Sequence, residues 1–157
     1  MSTRIVLADD HKLFREALRN LLRQHPDIEV VGEAGDGIEA LELVGSVLPD
    51  VLVMDIRMPR LNGIAAIAQL LAAHPSIKVI VLSVNAEHIF ASEMLAAGAR
   101  GYVTKADAEE LPRAIRAVVN GLQYLSLEVA ANHAHLALVH HHCHVLTQRQ
   151  LHRKTTP

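Results

Sequence analysis

The sequence predicts a doubly wound α/β fold, a parallel sheet of five strands with helices on both faces. Two observations carry this. Five short apolar runs alternate with five stretches of helical period, and glycine or proline punctuates the junctions. The central run, Val51-Leu52-Val53-Met54, is apolar without alternation, as a strand buried on both faces must be.

Each element has its own signal. Ile5-Val6-Leu7-Ala8 is the first strand, and the stripe Leu13, Phe14, Ala17, Leu18, Leu21 and Leu22 forms a helix that ends before Pro26. Ile28, Val30 and Val31 mark a second strand. Gly35-Asp36-Gly37 then turns the chain into a helix carrying Ile38, Leu41 and Val44, closed by Pro49. The third strand covers 51–54 and stops at Asp55, after which Pro59 removes a backbone donor and Gly63 allows a positive φ before the helix of Ile64, Ile67 and Leu71. Beyond Pro75, Val79-Ile80-Val81-Leu82 is a fourth strand ending at Ser83, followed by a helix over about 86–97 with Ile89, Phe90 and Met94 on one stripe and Gly98 as its left-handed cap. Gly101-Tyr102-Val103-Thr104 is a short fifth strand ending at Lys105. Asp107 is placed to cap the last helix, whose stripe is Leu111, Ile115, Val118 and Val119, with Gly121 after it.

The polar residues at the strand ends carry the functional reading. The first run ends in Asp9-Asp10, the third in Asp55, the fourth in Ser83 and the fifth in Thr104-Lys105, and ligands of open α/β sheets bind at the carboxyl ends of strands. Strand order 2-1-3-4-5 would bring all of them to one pocket. Three carboxylates in a small space repel one another unless a cation sits between them, and an all-oxygen site beside a phosphate suits Mg2+. Lys105 can neutralise one charge or pair with a phosphoryl oxygen, and the Ser83 hydroxyl can donate to another. The chemistry that uses all five groups is attack by Asp55 on phosphorus, giving an aspartyl phosphate. His11 reads as a helix-start residue.

Composition excludes other classes. At 50% hydrophobic and 20% charged, 157 residues suit one well-buried domain plus a tail, and a net charge of −2 gives no general attraction to nucleic acid or an anionic membrane. One cysteine, Cys143, suits a reducing compartment. No apolar run approaches the roughly 20 residues of a membrane span, so a soluble cytoplasmic protein is expected.

Asp9-Asp10, then Asp55 with Met58-Pro59 and Gly63 behind it, Ser83, and Tyr102 three residues before Lys105 together resemble a response-regulator receiver domain, over about residues 3–122. Asp9-Asp10-His11, Val31-Gly32-Glu33-Ala34 and the non-proline residue after Lys105 are similar to the NarL/FixJ class, whose members usually carry a LuxR-type helix-turn-helix output domain. The resemblance implies a flavodoxin-like fold of order 2-1-3-4-5. It makes Asp55 the phosphoryl acceptor for a sensor histidine kinase and Lys105 the phosphoryl clamp, with Ser83 and Tyr102 as the switch pair. Mg2+ would be held by Asp10, Asp55 and the backbone carbonyl of Arg57, with Asp9 assisting through water. It further implies transcription regulation in the full-length family and a homodimer on phosphorylation.

Residues 1–122 are thus expected to form the receiver and 123–157 a linker with an irregular tail. Leu146-Thr147-Gln148-Arg149-Gln150 echoes the opening phrase of the output domain, but the roughly 50 further residues such a domain takes do not follow, so DNA binding by this chain is not expected. The tail holds His133, His135, His140, His141, His142, His144 and His152 beside Cys143, a set that suits Zn2+, Ni2+ or Cu2+ without matching the spacing of a finger or knuckle. A metal-binding or interaction module built on that tail, or a stand-alone receiver, is the alternative. Residues 127–139 can form a short helix through Val129, Leu136 and Val139. An aspartyl-phosphate phosphatase is disfavoured because the second acid such enzymes need two residues after the nucleophile is here Arg57, and a flavodoxin-like cofactor site is disfavoured because Asp9-Asp10 would repel an anion.

Overall fold

The computed structural model describes residues 1–58, 62–84 and 88–131, the side chains of 88–90 apart. Its elements are β1 (Thr3–Ala8), α1 (Lys12–Arg23), β2 (Ile28–Ala34), α2 (Gly37–Val47), β3 (Val51–Asp55), α3 (Gly63–Ala73), β4 (Lys78–Ser83), α4 (His88–Ala96), β5 (Gly101–Thr104), a 3-10 segment (Lys105–Glu110), α5 (Leu111–Val119) and β6 (Tyr124–Leu125). The strands pair in parallel in the order β2-β1-β3-β4-β5-β6.

The sheet is doubly wound as expected, but it has six strands and not five. Gly101 pairs with Tyr124 and Tyr102 with Leu125. The added strand is held by Tyr124 N–H on the Arg100 carbonyl at 2.9 Å and Ser126 N–H on the Tyr102 carbonyl at 3.0 Å. Two residues carry no periodicity, so nothing in the sequence distinguishes such a strand from a linker. A helical segment over 127–131 follows, and Val129 is fully buried in the same cluster as Tyr102, Ala91 and Met94. Residues 123–131, expected as linker, therefore pack against the sheet.

Period-two alternation explains why the central strands are apolar throughout. Ile5, Leu7, Val51, Val53, Ile80, Leu82 and Val103 face α1 and α5, where Leu18, Leu22, Leu111, Ile115 and Val118 meet them. Val6, Ala8, Leu52, Met54, Val79, Val81 and Tyr102 face α2, α3 and α4 through Ala40, Val44, Ile67, Leu70 and Met94. Each fully buried aliphatic side chain contributes roughly 1.5–3 kcal/mol, so both layers are needed.

Local chemistry sets the helix ends. Asp36 caps α2 by accepting from Glu39 N–H at 2.9 Å while the Glu39 carboxylate accepts from Gly35 N–H at 3.1 Å, and Asn62 caps α3 through Ala65 N–H at 3.4 Å. His11 is the N-cap residue of α1, as expected, without a side-chain cap bond. Three expectations are corrected. Asp107 lies inside the 3-10 segment and accepts from Glu128 N–H at 3.4 Å, leaving Glu110 as the N-cap of α5. Gly63 does not adopt a positive φ; it opens α3, where a Cβ would stand 3.3 Å from Met94 Cε and 3.5 Å from Ile56 Cβ. Leu13, Ile38 and Val119 are exposed at the ends of their helices, beyond the sheet they would pack on. The turn at Pro59, the stripe residues Ile89 and Phe90, Leu136 and Val139, the histidine-rich tail with Cys143, and the 146–150 phrase lie outside the described side chains. Among the described residues no helix is long and apolar enough to cross a membrane.

Gly98 and Gly121 do take positive φ, +113° and +80°. Gly98→Ala would also drive a Cβ to 2.5 Å from Leu71 Cδ1, whereas nothing lies within 4 Å of a Cβ at Gly121. Urea unfolding should show Gly98→Ala destabilised by about 3 kcal/mol and Gly121→Ala by about 1 kcal/mol. Equal losses would remove the Leu71 contact as the cause.

The β6 segment offers a second check. Tyr124 OH donates to Glu110 Oε1 at 2.6 Å. Burial, then the hydrogen bond to Glu110 and its charge, push the Tyr124 hydroxyl up to about 12. A folded pKa above the unfolded one gives stability that is complete below about pH 10 and lost as pH rises through 12. Tyr124→Phe should cost about 1 kcal/mol at pH 8 and abolish that alkaline decline, as read by denaturant unfolding at fixed pH values.

Candidate functional site

Three strands deliver acid or base to one end of the sheet. β1 and β3 run directly into Asp9 and Asp55, and the chain leaves β5 into Lys105. By strand alternation all three belong to the α1/α5 face. Ser83 and Tyr102 belong to the opposite one. Asp9 and Asp55 are buried, at 1% and 4% exposure.

Lys105 is the joint. Its Nζ donates to Asp55 Oδ2 at 2.9 Å and stands 2.9 Å from Asp9 Oδ2, while the ring of Phe14 on α1 lies beneath it with its centroid 4.7 Å away. The contact with Asp9 is as short as that with Asp55, so one ammonium joins both carboxylates. Burial on its own lowers the Lys105 pKa, but hydrogen bonds and charges from Asp9 and Asp55 outweigh it and hold the ammonium above its ordinary value.

The other oxygens are turned by backbone donors. Asp55 Oδ1 accepts from Arg57 N–H at 2.9 Å, and Asp9 Oδ1 from His11 N–H at 2.7 Å. Asp10 follows Asp9 with its side chain one-third exposed, 3.8 Å from His11 Nδ1. Ligand atoms of Asp9, Asp10 and His11 lie within 4.8 Å of one another. One ammonium against the acids of this pocket leaves negative charge uncompensated. The carboxylates of Asp9, Asp10 and Asp55 are hard oxygen donors of the kind that suits Mg2+.

The structure thus joins Asp9, Asp55 and Lys105 by direct contact, whereas Asp10 groups with Asp9 and His11 and not with Asp55. Arg57 is exposed in the turn after β3. Ser83 is fully buried at the end of β4, level with Thr104 in the parallel register. Tyr102 has no exposed surface, so its ring already occupies the inward position. Sequence reasoning missed Phe14 as the floor under Lys105, and it missed Ser126, whose buried hydroxyl accepts from Thr104 N–H at 3.2 Å. An aromatic in an amphipathic stripe and a serine in a linker give no signal of either role.

A doubly wound parallel domain with a lysine-bridged aspartate pair at its carboxyl edge is the architecture of a phosphoacceptor signalling domain. The profile of the response regulator receiver domain matches residues 5–116, and the chain belongs to that family. It is similar to the transcriptional regulatory protein DegU of Brevibacillus brevis, 41% identical over 129 residues, which cover 82% of this chain and 55% of that protein. It is also similar to the response regulator GacA of Pseudomonas viridiflava, 40% identical over 128 residues, 81% of this chain and 60% of that one. Among solved structures, a LuxR-family two-component response regulator from Aurantimonas sp. SI85-9A1 superposes with a TM-score of 0.84 at 34% identity, covering 88% of this chain and 99% of that chain. The chain spans 55–60% of the length of these curated relatives.

Removing the ammonium should expose the repulsion it offsets. Lys105→Met is expected to lose about 3 kcal/mol in urea unfolding with chelator present, and Asp9→Asn in that background should recover part of the loss. Additive losses in the double variant would mean that Asp9 and Lys105 do not act on each other.

Proposed function

We propose that Asp55 is the phosphoryl acceptor of this receiver domain and that a sensor histidine kinase is the donor. The observation that carries this reading is the bridge from Lys105 to both Asp55 and Asp9. It sets a positive charge against a buried carboxylate, whose plane is fixed by the Arg57 N–H, at the edge where phosphate-bearing ligands meet parallel sheets.

In the transfer, a carboxylate oxygen of Asp55 forms a bond to phosphorus as the phosphorus–nitrogen bond of the phosphohistidine breaks. The imidazole nitrogen leaves with the electron pair and takes up a proton. Lys105 holds its positive charge beside the incoming oxygens, and Ser83 supplies a hydroxyl to one of them. Asp10, Asp55 and the carbonyl of Arg57 would hold Mg2+, with Asp9 assisting through water, and the ion would supply the remaining positive charge. Ser83 and Tyr102 form the switch pair. With the ring already inward, the movement left to the pair is that of the Ser83 loop toward the phosphoryl group.

The receiver would serve transcription regulation, as the name of DegU suggests, with phosphorylation favouring a homodimer. The cytoplasm is where its kinase partner would meet it.

A small phosphodonor with Mg2+ should add one phosphoryl group by intact-mass measurement, and Asp55→Asn should take none. Labelling of that variant at the wild-type level would overturn the assignment.

A further inference from the structure

The acidic loop between β1 and α1 is fastened at nearly every polar atom of Asp9. Its N–H donates to the Ala34 carbonyl at 3.0 Å, Oδ1 accepts from His11 N–H, and Oδ2 lies against Lys105. The remaining atom is the Asp9 carbonyl oxygen, and it accepts from the guanidinium of Arg15. Arg15 reaches back from α1, and its Nε donates to Glu33 Oε1 on β2 at 3.2 Å. Arg19, one turn further along α1, donates to Glu33 Oε2 at 2.8 Å. These side chains are largely shielded, with 17% of Arg15 and 24% of Glu33 exposed.

We propose that Arg15 is a positioning residue for the cation site. Because the peptide unit is planar, holding the Asp9 carbonyl fixes the plane of the Asp9–Asp10 peptide and so the direction in which Asp10 leaves the strand. Asp10 is the most exposed of the three acids, with one-third of its side chain reaching solvent while Asp9 and Asp55 are buried. Arginine suits the task because its rigid fork presents one edge to the Glu33 carboxylate and another to the carbonyl, which a lysine cannot do at once. Glu33 sets the angle of the fork. The inference rests on the reading of Asp10 as a direct Mg2+ ligand.

Charge and position make opposite predictions. A guanidinium beside an acidic pocket repels a cation, so removing it would tighten Mg2+ binding if charge were all that mattered. If Arg15 positions Asp10, removing it weakens binding, and outer groups that orient metal ligands typically contribute about 10- to 100-fold in affinity. A merely structural role lowers the unfolding midpoint but leaves the affinity of the folded protein unchanged.

The test is calorimetric titration of the whole chain with Mg2+ alone, below the unfolding midpoint of each variant. Asp10→Asn should abolish binding; if it binds like wild type, the underlying cation site is wrong and the proposal falls with it. With that control met, Arg15→Ala should bind Mg2+ about tenfold more weakly or worse, and its Asp10 and His11 amides should exchange faster in the metal-free protein. Arg15→Lys, which keeps the charge and loses the fork, should fall between. An Arg15→Ala affinity equal to or tighter than wild type overturns the proposal. Where Arg15→Ala does not fold, a wild-type affinity in Arg15→Lys overturns it instead.

Discussion

The half-buried ammonium of Lys105 between two carboxylates constrains more of this molecule than any other contact. β5 stands two strands from β3 and three from β1, which at a spacing of about 4.8 Å is roughly 10 and 14 Å across the sheet. The long lysine side chain closes that span from just past the end of β5, with the two aspartates reaching toward it. The bridge therefore requires all three strands to stop at the same level. The parallel register provides this, with Ala8 beside Met54, Asp55 beside Leu82, and Ser83 beside Thr104.

The alternation of the strands then divides the pocket. Asp9, Asp55 and Lys105 continue the face of Leu7, Val53 and Val103, so α1 closes over them and Phe14 lies under the ammonium. Ser83 and Tyr102 continue the face of Val81, toward α4 and the segment after β6. Charge is concentrated on one side of the sheet edge, and the buried Ser83 and Tyr102 lie on the other. The two sides meet at the strand ends, where ligands of open parallel sheets bind.

Much of this was legible in the sequence, because parallel strands buried on both faces have no polar residues until they stop. A carboxylate after Leu7-Ala8, another after Val53-Met54 and a lysine after Val103-Thr104 are conspicuous against such runs. Gly98 was legible for a related reason, since a glycine that ends a helical stripe points to a backbone few other residues adopt. What stayed hidden depends on contacts between distant residues. The pairing of Arg15 with Glu33 exists only because β2 lies beside β1, and on paper both are surface charges. β6 is too short for a pattern, and Asp107 has the spacing of a cap yet bonds to Glu128, a residue that only the return of the chain brings near.

That return ties the end of the described chain to the pocket. The 3-10 segment beginning at Lys105 presents Asp107 to the Glu128 N–H, and Glu110 to the Tyr124 hydroxyl and the Leu127 N–H at 3.3 Å. These carboxylates bind the first N–H groups of the helical segment over 127–131, where negative charge is favourable. Ser126 heads that segment, and its carbonyl accepts from Ala130 N–H at 2.8 Å. Its hydroxyl is turned away from the usual capping role to the N–H of Thr104, the residue just before the lysine. Lys105 thus sits between two anchors, the acids it bridges on one side and the chain leaving the domain on the other. Among the described residues the buried Thr104 hydroxyl has no hydrogen-bond partner. The end of β5 is therefore held through its backbone, by the Thr104 N–H on Ser126, and through the Lys105 ammonium on Asp9 and Asp55.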